Sequence, residues 1–367
     1  MNQNRIPKPR SSILSLPEYV PGEQSLEGII EPIKLSSNES NLGPSPKSLE
    51  AFSDFSKNIH RYPDPDQFQI REAIAAHHKL IPENIICGNG SAELIQMLIQ
   101  TYVEEGDEVL LSEFGFPLYQ IVAKSQGAKV VFAPEVECVT QVDSLLSLMS
   151  PKTKLIALAN PNNPTGTYLN QEEIKRLEAA IPGNVIFLLD EAYAEYVTAN
   201  DYGSGLSWAA TSDNVVVTRT FSKFYGLAGL RLGWMYGPAE VISNIQRLRI
   251  TFNINGPSVA AAIASLEDKE YSKSVKQHNA YWRDQMTSKL EMMGLKVTPS
   301  MANFLLIHFD EIKGKTNIDT EQALKKRGII PRPMVGGGPK NCLRITIGSQ
   351  SDNEAVLETM KHFLEEK

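Results

Sequence analysis

Residues 218–234 read TRTFSKFYGLAGLRLGW, with Lys223 flanked by the hydroxyls of Thr220 and Ser222 and followed eight residues later by Arg231. A lysine becomes a nucleophile when an apolar, cation-rich surrounding lowers its pKa. Hydroxyls beside an arginine suit a phosphate. Two more polar groups stand directly after apolar runs. KLIALA (154–159) leads into NPNNPTG with Asn163, and VIFLL (185–189) leads into Asp190-Glu-Ala-Tyr193. In an open parallel sheet, ligands bind beyond the carboxyl ends of the strands. Taken singly, each feature has a plainer reading: NP…G as a turn, Asp190 as a helix N-cap, Tyr193 as core, Lys223 as a surface lysine. Their convergence on three successive strand ends carries the inference.

The elements that must position them alternate. Strand-length apolar runs fall at 108–112, 129–133, 154–159, 185–189, 214–218 and 230–236, with amphipathic helical stretches between them. Several runs are apolar on both parities, as in a parallel sheet covered on both faces. The helix over 91–103 places Leu94, Ile95, Leu98, Ile99 and Tyr102 on one stripe. Such alternation gives an α/β domain with right-handed crossovers. A helical region over 258–293, three short strands (LKVTP, NFLLIHF, CLRITIG) and a closing helix at 353–366 make a smaller α+β domain. We therefore expect an arm at 1–30 belonging to the small domain, a large domain at 31–265 and a small domain at 266–367.

With 367 residues, 42% of them apolar and 22% charged, the chain has the composition of a globular protein of about two domains. Its 36 basic and 43 acidic residues leave a net charge of −7, which argues against nucleic acid or an anionic membrane as partner. Cys87, Cys138 and Cys342 are odd in number and widely spaced, so neither a disulfide framework nor a metal site is expected, and the cytoplasm is the expected compartment. The N-terminal stretch lacks the apolar core of a signal peptide, and no apolar run approaches the ~18 residues of a membrane span. His77 and His78, on a polar helical stretch, are expected to be solvated.

NPNNPTG, DEAY and a Ser-Lys pair with arginine eight residues beyond the lysine jointly resemble fold-type I pyridoxal-phosphate aminotransferases, with matches from about 17 to 350. The resemblance implies a large domain built on a mostly parallel seven-stranded sheet, a smaller α+β domain, and pyridoxal 5′-phosphate as cofactor. It gives Lys223 the Schiff base to the cofactor aldehyde, and Asp190 the pairing with the pyridine nitrogen that makes the ring an electron sink. Asn163 and Tyr193 would bond the phenolic oxygen; Thr220, Ser222 and Arg231 would hold the phosphate. GNGSAEL (88–94) would complete that phosphate site with the amides of Ser91 and Ala92 at a helix start, since the aspartate frequent in the family is replaced here by Ala92. Phe116 of FGFPLY takes the position of the ring stacked on the pyridine; a core phenylalanine is the alternative.

LPEYVPG (16–22), KLSSNES-NLGPSP (34–46), RYPDPD (61–66) and RP…CLRITIG are similar in particular to the histidinol-phosphate aminotransferases. That similarity implies that Tyr19, Arg332 and Arg344 surround a substrate phosphate and that Asn38 lies near the substrate. It also implies that Tyr62 reaches the cofactor phosphate of a neighbouring subunit, making a homodimer with shared active sites. Where the subfamily reads NENPLGP, this chain reads NESNLGP, which keeps Asn38 and Glu39 in register. The same arginines must accept L-glutamate, the amino donor that becomes 2-oxoglutarate. An aromatic amino acid aminotransferase is the alternative reading. An amino acid phosphate decarboxylase and a non-enzymatic regulator of this fold rank lower, the regulator because 1–30 is too short for a DNA-binding domain. GGGP (336–339) lacks the Lys-Ser/Thr of a P-loop, which weighs against nucleotide binding.

Overall fold

In the computed structural model, residues 7–16, 23–309, 315–334 and 337–365 are described; Tyr19 and Gly336 lie outside them. Seven strands form the main sheet: β1 (Ile85–Gly88), β2 (Glu108–Ser112), β3 (Lys129–Ala133), β4 (Thr153–Ala159), β5 (Ile186–Asp190), β6 (Val215–Thr220) and β7 (Gly233–Tyr236). Their order is β1-β7-β6-β5-β4-β2-β3, and β7 runs opposite to the other six. The period-2 alternation of a strand explains why both parities are apolar. Leu155 and Ala157 pack into the core on one face, while Ile156 and Leu158 pack into the core on the other. This is the α/β sheet of the fold-type I expectation.

A second sheet has β8 (Lys296–Thr298), β9 (Phe304–His308), β10 (Arg332–Pro333) and β11 (Cys342–Thr346) in the order β8-β9-β11-β10, all antiparallel. It buries Leu305, Ile307, Leu343 and Ile345 against Trp282, Met286 and Leu290 and against Val356 and Met360 of the closing helix Gln350–Glu365. The helical region at 258–293 consists of two helices, Gly256–Glu267 and Lys269–Met292. Asp268 between them leaves helical geometry (ψ 70°), and its carboxylate accepts from the amide of Tyr271 at the second helix's start.

Two expectations are corrected, and one strand was not foreseen. IICG at 85–88 is a strand, too short for its periodicity to register in the sequence. The run at 230–236 is a strand only from Gly233. Ala228–Leu230 is a 3₁₀ turn, and Arg231 takes a left-handed φ of 54° that directs its guanidinium to Ser222 Oγ and the carbonyl of Ala228. His78 is half-buried with its ring 5.1 Å from that of Trp234, and burial, with the charges of Arg219 and His77 adding, pulls its pKa down to about 3. It is neutral at physiological pH. Among the described residues no helix is long and apolar enough to cross a membrane.

Candidate active site

β4, β5 and β6 are neighbours in the sheet, so Ala159, Asp190 and Thr220 at their carboxyl ends line one cavity of about 700 Å³. Asn38, Ser91, Ala92, Phe116, Asn163, Tyr193, Ser222, Lys223, Arg231, Arg332 and Arg344 line it too. Of the residues singled out from the sequence and described here, Tyr62 is the one left outside; it is 82% exposed and stacks on Phe252 with centroids 4.6 Å apart.

The floor of the cavity is a carboxylate. Asp190 is 5% exposed, with Oδ2 accepting from Tyr119 Oη at 2.8 Å and Oδ1 from Thr218 Oγ1 at 2.9 Å. Burial, with the Glu191 charge adding, pushes its pKa up to about 6 against the pull of those donors and the Ala192 amide. A cation facing it would restore the ionised form. Behind it, on the other side of the strand ends, Arg219 binds Glu191 through Nε (3.0 Å) and Nη2 (2.6 Å) and Glu195 through Nη1 (3.2 Å). This buried pair ties β5 to β6 next to Asp190.

Across from the carboxylate, Lys223 Nζ donates to the carbonyl of Ser37 at 2.8 Å. Burial, then the charge of Arg344, and further Arg231 and Lys34, bring its pKa down to about 8 in spite of Glu39. A lysine in that state is a nucleophile near neutral pH.

At one end, Gly90 caps the helix Ser91–Tyr102 with φ 75°, and a side chain there would stand 2.6 Å from Arg231 Nη2. The open amides of Ser91 and Ala92, the guanidinium of Arg231 and the hydroxyls of Thr220 and Ser222 form an anion cradle. Along the side wall, Asn163 Oδ1 accepts from Arg344 Nη1 at 2.5 Å, which leaves the Asn163 amide N–H groups for an acceptor in the cavity. Tyr193 Oη accepts from Asn38 Nδ2 at 2.9 Å and keeps its own proton to donate. Phe116 precedes the helix Pro117–Ser125 and lines the cavity edge-on to Tyr119.

These groups fit pyridoxal 5′-phosphate: a cradle for its phosphate, donors for its phenolic oxygen, a carboxylate for its ring nitrogen and an amine for its aldehyde. Tyr119, Thr218 and the Glu191–Arg219 pair were not singled out from the sequence. Tyr119 carried a usable signal, since it lies three residues beyond Phe116 at a helix start and so on the same side.

Residues 30–360 match the family described as aminotransferase class I and II. A histidinol-phosphate aminotransferase of Paramagnetospirillum magneticum is 45% identical over 98% of this chain and 99% of its own. One from Nitrobacter hamburgensis is 42% identical over 98% and 99%. A crystal structure of histidinol-phosphate aminotransferase from Sinorhizobium meliloti in complex with pyridoxal 5′-phosphate superimposes with a TM-score of 0.88 at 27% identity, covering 99% of each chain. The chain belongs to the class I and II aminotransferases, and pyridoxal 5′-phosphate is its cofactor.

Proposed function

We propose that the chain interconverts L-histidinol phosphate and 2-oxoglutarate with imidazole-acetol phosphate and L-glutamate, a transamination of histidine biosynthesis. The observation that carries the choice of substrate is the pairing of β10 with β11, which sets Arg332 directly opposite Arg344. Like charges placed so are destabilising unless an anion lies between them. Arg344 is 8% exposed, and its Nε is buried with no hydrogen-bond partner among the described residues. Burial, opposed by Tyr193 and reinforced by Arg332, lowers its pKa to about 10, so an anion beside it is favoured further. Two guanidiniums suit both the doubly charged phosphate of one substrate and the carboxylates of glutamate.

The bound cofactor supplies an electron sink for the bond broken at the substrate's Cα. The protein supplies the rest. Lys223 Nζ is the base placed to take the Cα proton, Asp190 holds the opposing charge, and Tyr193 and Asn163 donate from the side. Thr220, Ser222, Arg231 and the amides of Ser91 and Ala92 would anchor the phosphate, and Phe116 would pack against the ring. Apolar Leu118, Ile121 and Met334 offer the space for a substrate's side-chain ring. That wall also supports the second reading, an aromatic amino acid transaminase, because it suits phenyl as well as imidazole. Amine transfer to imidazole-acetol phosphate compared with phenylpyruvate decides between them; a clear preference for phenylpyruvate overturns the first reading. Arg332→Ala should lower kcat/KM for the phosphorylated substrate roughly 10- to 100-fold, the worth of a charge-assisted pair, and affect glutamate less. Equal losses for both count against its role.

Tyr62 and the exposed Leu49, Phe52, Ile59 and Ile250 support a homodimer in which a second copy covers this face and receives Tyr62 at its own cofactor phosphate. Tyr62→Ala should weaken cofactor retention several-fold while the dimer persists in sedimentation velocity; a monomeric wild type overturns the shared site. The three cysteines are free and buried, which supports work in a reducing cytoplasm.

A further inference from the structure

We propose that Thr346 is a positioning residue: its hydroxyl sets which way the Asn38 amide faces, and so forces Tyr193 to aim its proton into the cofactor cavity. The inference rests on the role given to Tyr193 above.

Asn38 and Thr346 are 308 residues apart and fully buried, and they meet where β11 ends beside the loop that carries Asn38. Thr346 Oγ1 accepts the backbone N–H of Asn38 at 3.0 Å and donates its single proton to Asn38 Oδ1 at 3.2 Å. A hydroxyl oxygen that already accepts one N–H is best completed by donating, and it has one proton for that purpose. The oxygen of the Asn38 amide therefore faces Thr346, and the nitrogen faces Tyr193 Oη at 2.9 Å. Tyr193 accepts there. Its own O–H must point elsewhere, and the cavity that it lines is the direction in which the cofactor's phenolic oxygen would lie.

Without the threonine hydroxyl the amide loses the group that distinguishes its two ends. Rotating an asparagine amide by half a turn exchanges oxygen and nitrogen with almost no change of shape. The flipped amide presents an acceptor to Tyr193, and the phenol then donates to Asn38 in place of the cavity. Removing the hydroxyl also takes the acceptor from the Asn38 backbone N–H, but the Asn38 carbonyl still accepts from Asn303 Nδ2 at 3.1 Å and holds the backbone there. Direction is lost rather than position. Thr346 lies two residues beyond Arg344 on one face of β11, so the strand that grips the substrate anion also fixes the side donor of the cofactor.

The test is a pH titration of the visible absorption of the coloured linkage between Lys223 and the cofactor, in purified holoprotein. A phenol donating to the cofactor's phenolic oxygen makes that linkage less basic. Thr346→Ala and Thr346→Val should raise the midpoint by about one unit, a tenfold change in the proton equilibrium, while Thr346→Ser stays within about 0.3 unit of wild type. Alanine and serine differ by one hydroxyl, so that pair decides the matter if the valine variant does not fold. Tyr193→Phe is the calibration and should shift the midpoint at least as far as Thr346→Ala. If Tyr193→Phe shifts it and Thr346→Ala titrates with Thr346→Ser, the relay is wrong and the Tyr193 role stands. If Tyr193→Phe leaves the midpoint in place, both fall.

Discussion

Lys223→Ala should lower amine transfer by roughly four orders of magnitude or more and leave the purified protein without a visible absorption band. In the proposed mechanism two functions meet on Nζ, covalent capture of the cofactor and proton transfer at the substrate, and among the described residues no other lysine lines the cavity. A pKa brought down to about 8 leaves a far larger share of this amine neutral near neutral pH than an ordinary lysine has. Uptake of cofactor by the apoprotein should therefore accelerate as pH rises through about 8. Lys223→Arg should be as inactive as the alanine variant, since a guanidinium is not deprotonated in a protein. Neither loss should come from unfolding. Arg344 and Arg231 both oppose the charged form of this lysine, so the alanine variant should melt no lower than the wild-type apoprotein. Turnover above about 1% of wild type in Lys223→Ala would refute the assignment.

What could be read in the sequence was whatever is local in the chain. β4, β5 and β6 announced themselves because apolar residues filled both parities and then stopped at Asn163, Asp190 and Lys223. The glycine turn at Gly90 that opens an apolar-striped helix was local too, but only the family resemblance marked it as a place for a phosphate. Position was legible at Arg231, but its left-handed backbone was not, because the strand-like run around it gave no sign that the ladder starts only at Gly233. The rest of the site is held by contacts that no local pattern carries. Tyr119 reaches Asp190 across 71 residues, and Arg344 reaches Asn163 across 181. Arg332 and Arg344 were visible as two arginines near one end of the chain; that they face each other depends on the register of a two-residue edge strand. His78 was misplaced for the reverse reason: its own helix is polar enough to pass for surface, and Trp234 comes from another element.

Asp190→Asn should keep the shape of the floor and lose its charge, and activity should fall roughly 10²- to 10³-fold, the equivalent of about 3–4 kcal/mol for breaking a buried charge pair. The asparagine oxygen can still accept from Tyr119 or Thr218, and the remaining hydroxyl can turn to accept from the amide nitrogen, so the packing survives. Stability of the empty protein should move the other way. The Asp190 pKa is raised from 3.8 to about 6, so the folded apoprotein holds this proton more tightly than the unfolded chain does. Its contribution to stability is full below about pH 4 and is lost as pH rises through 6, by up to about 3 kcal/mol. The asparagine variant carries no such loss, so its apoprotein should melt at or above the wild type at pH 8. Bound cofactor should reverse the order, because a protonated ring nitrogen facing this position would give the aspartate its missing countercharge and give the asparagine nothing. The cofactor-induced rise in Tm should therefore be larger in wild type than in Asp190→Asn, while the phosphate cradle, untouched, keeps both proteins able to bind. Equal rises in Tm together with activity within tenfold of wild type would mean that the carboxylate does not face the ring nitrogen; a smaller rise with slow turnover places its charge there, because a change of packing alone would lower both apoprotein stability and cofactor binding.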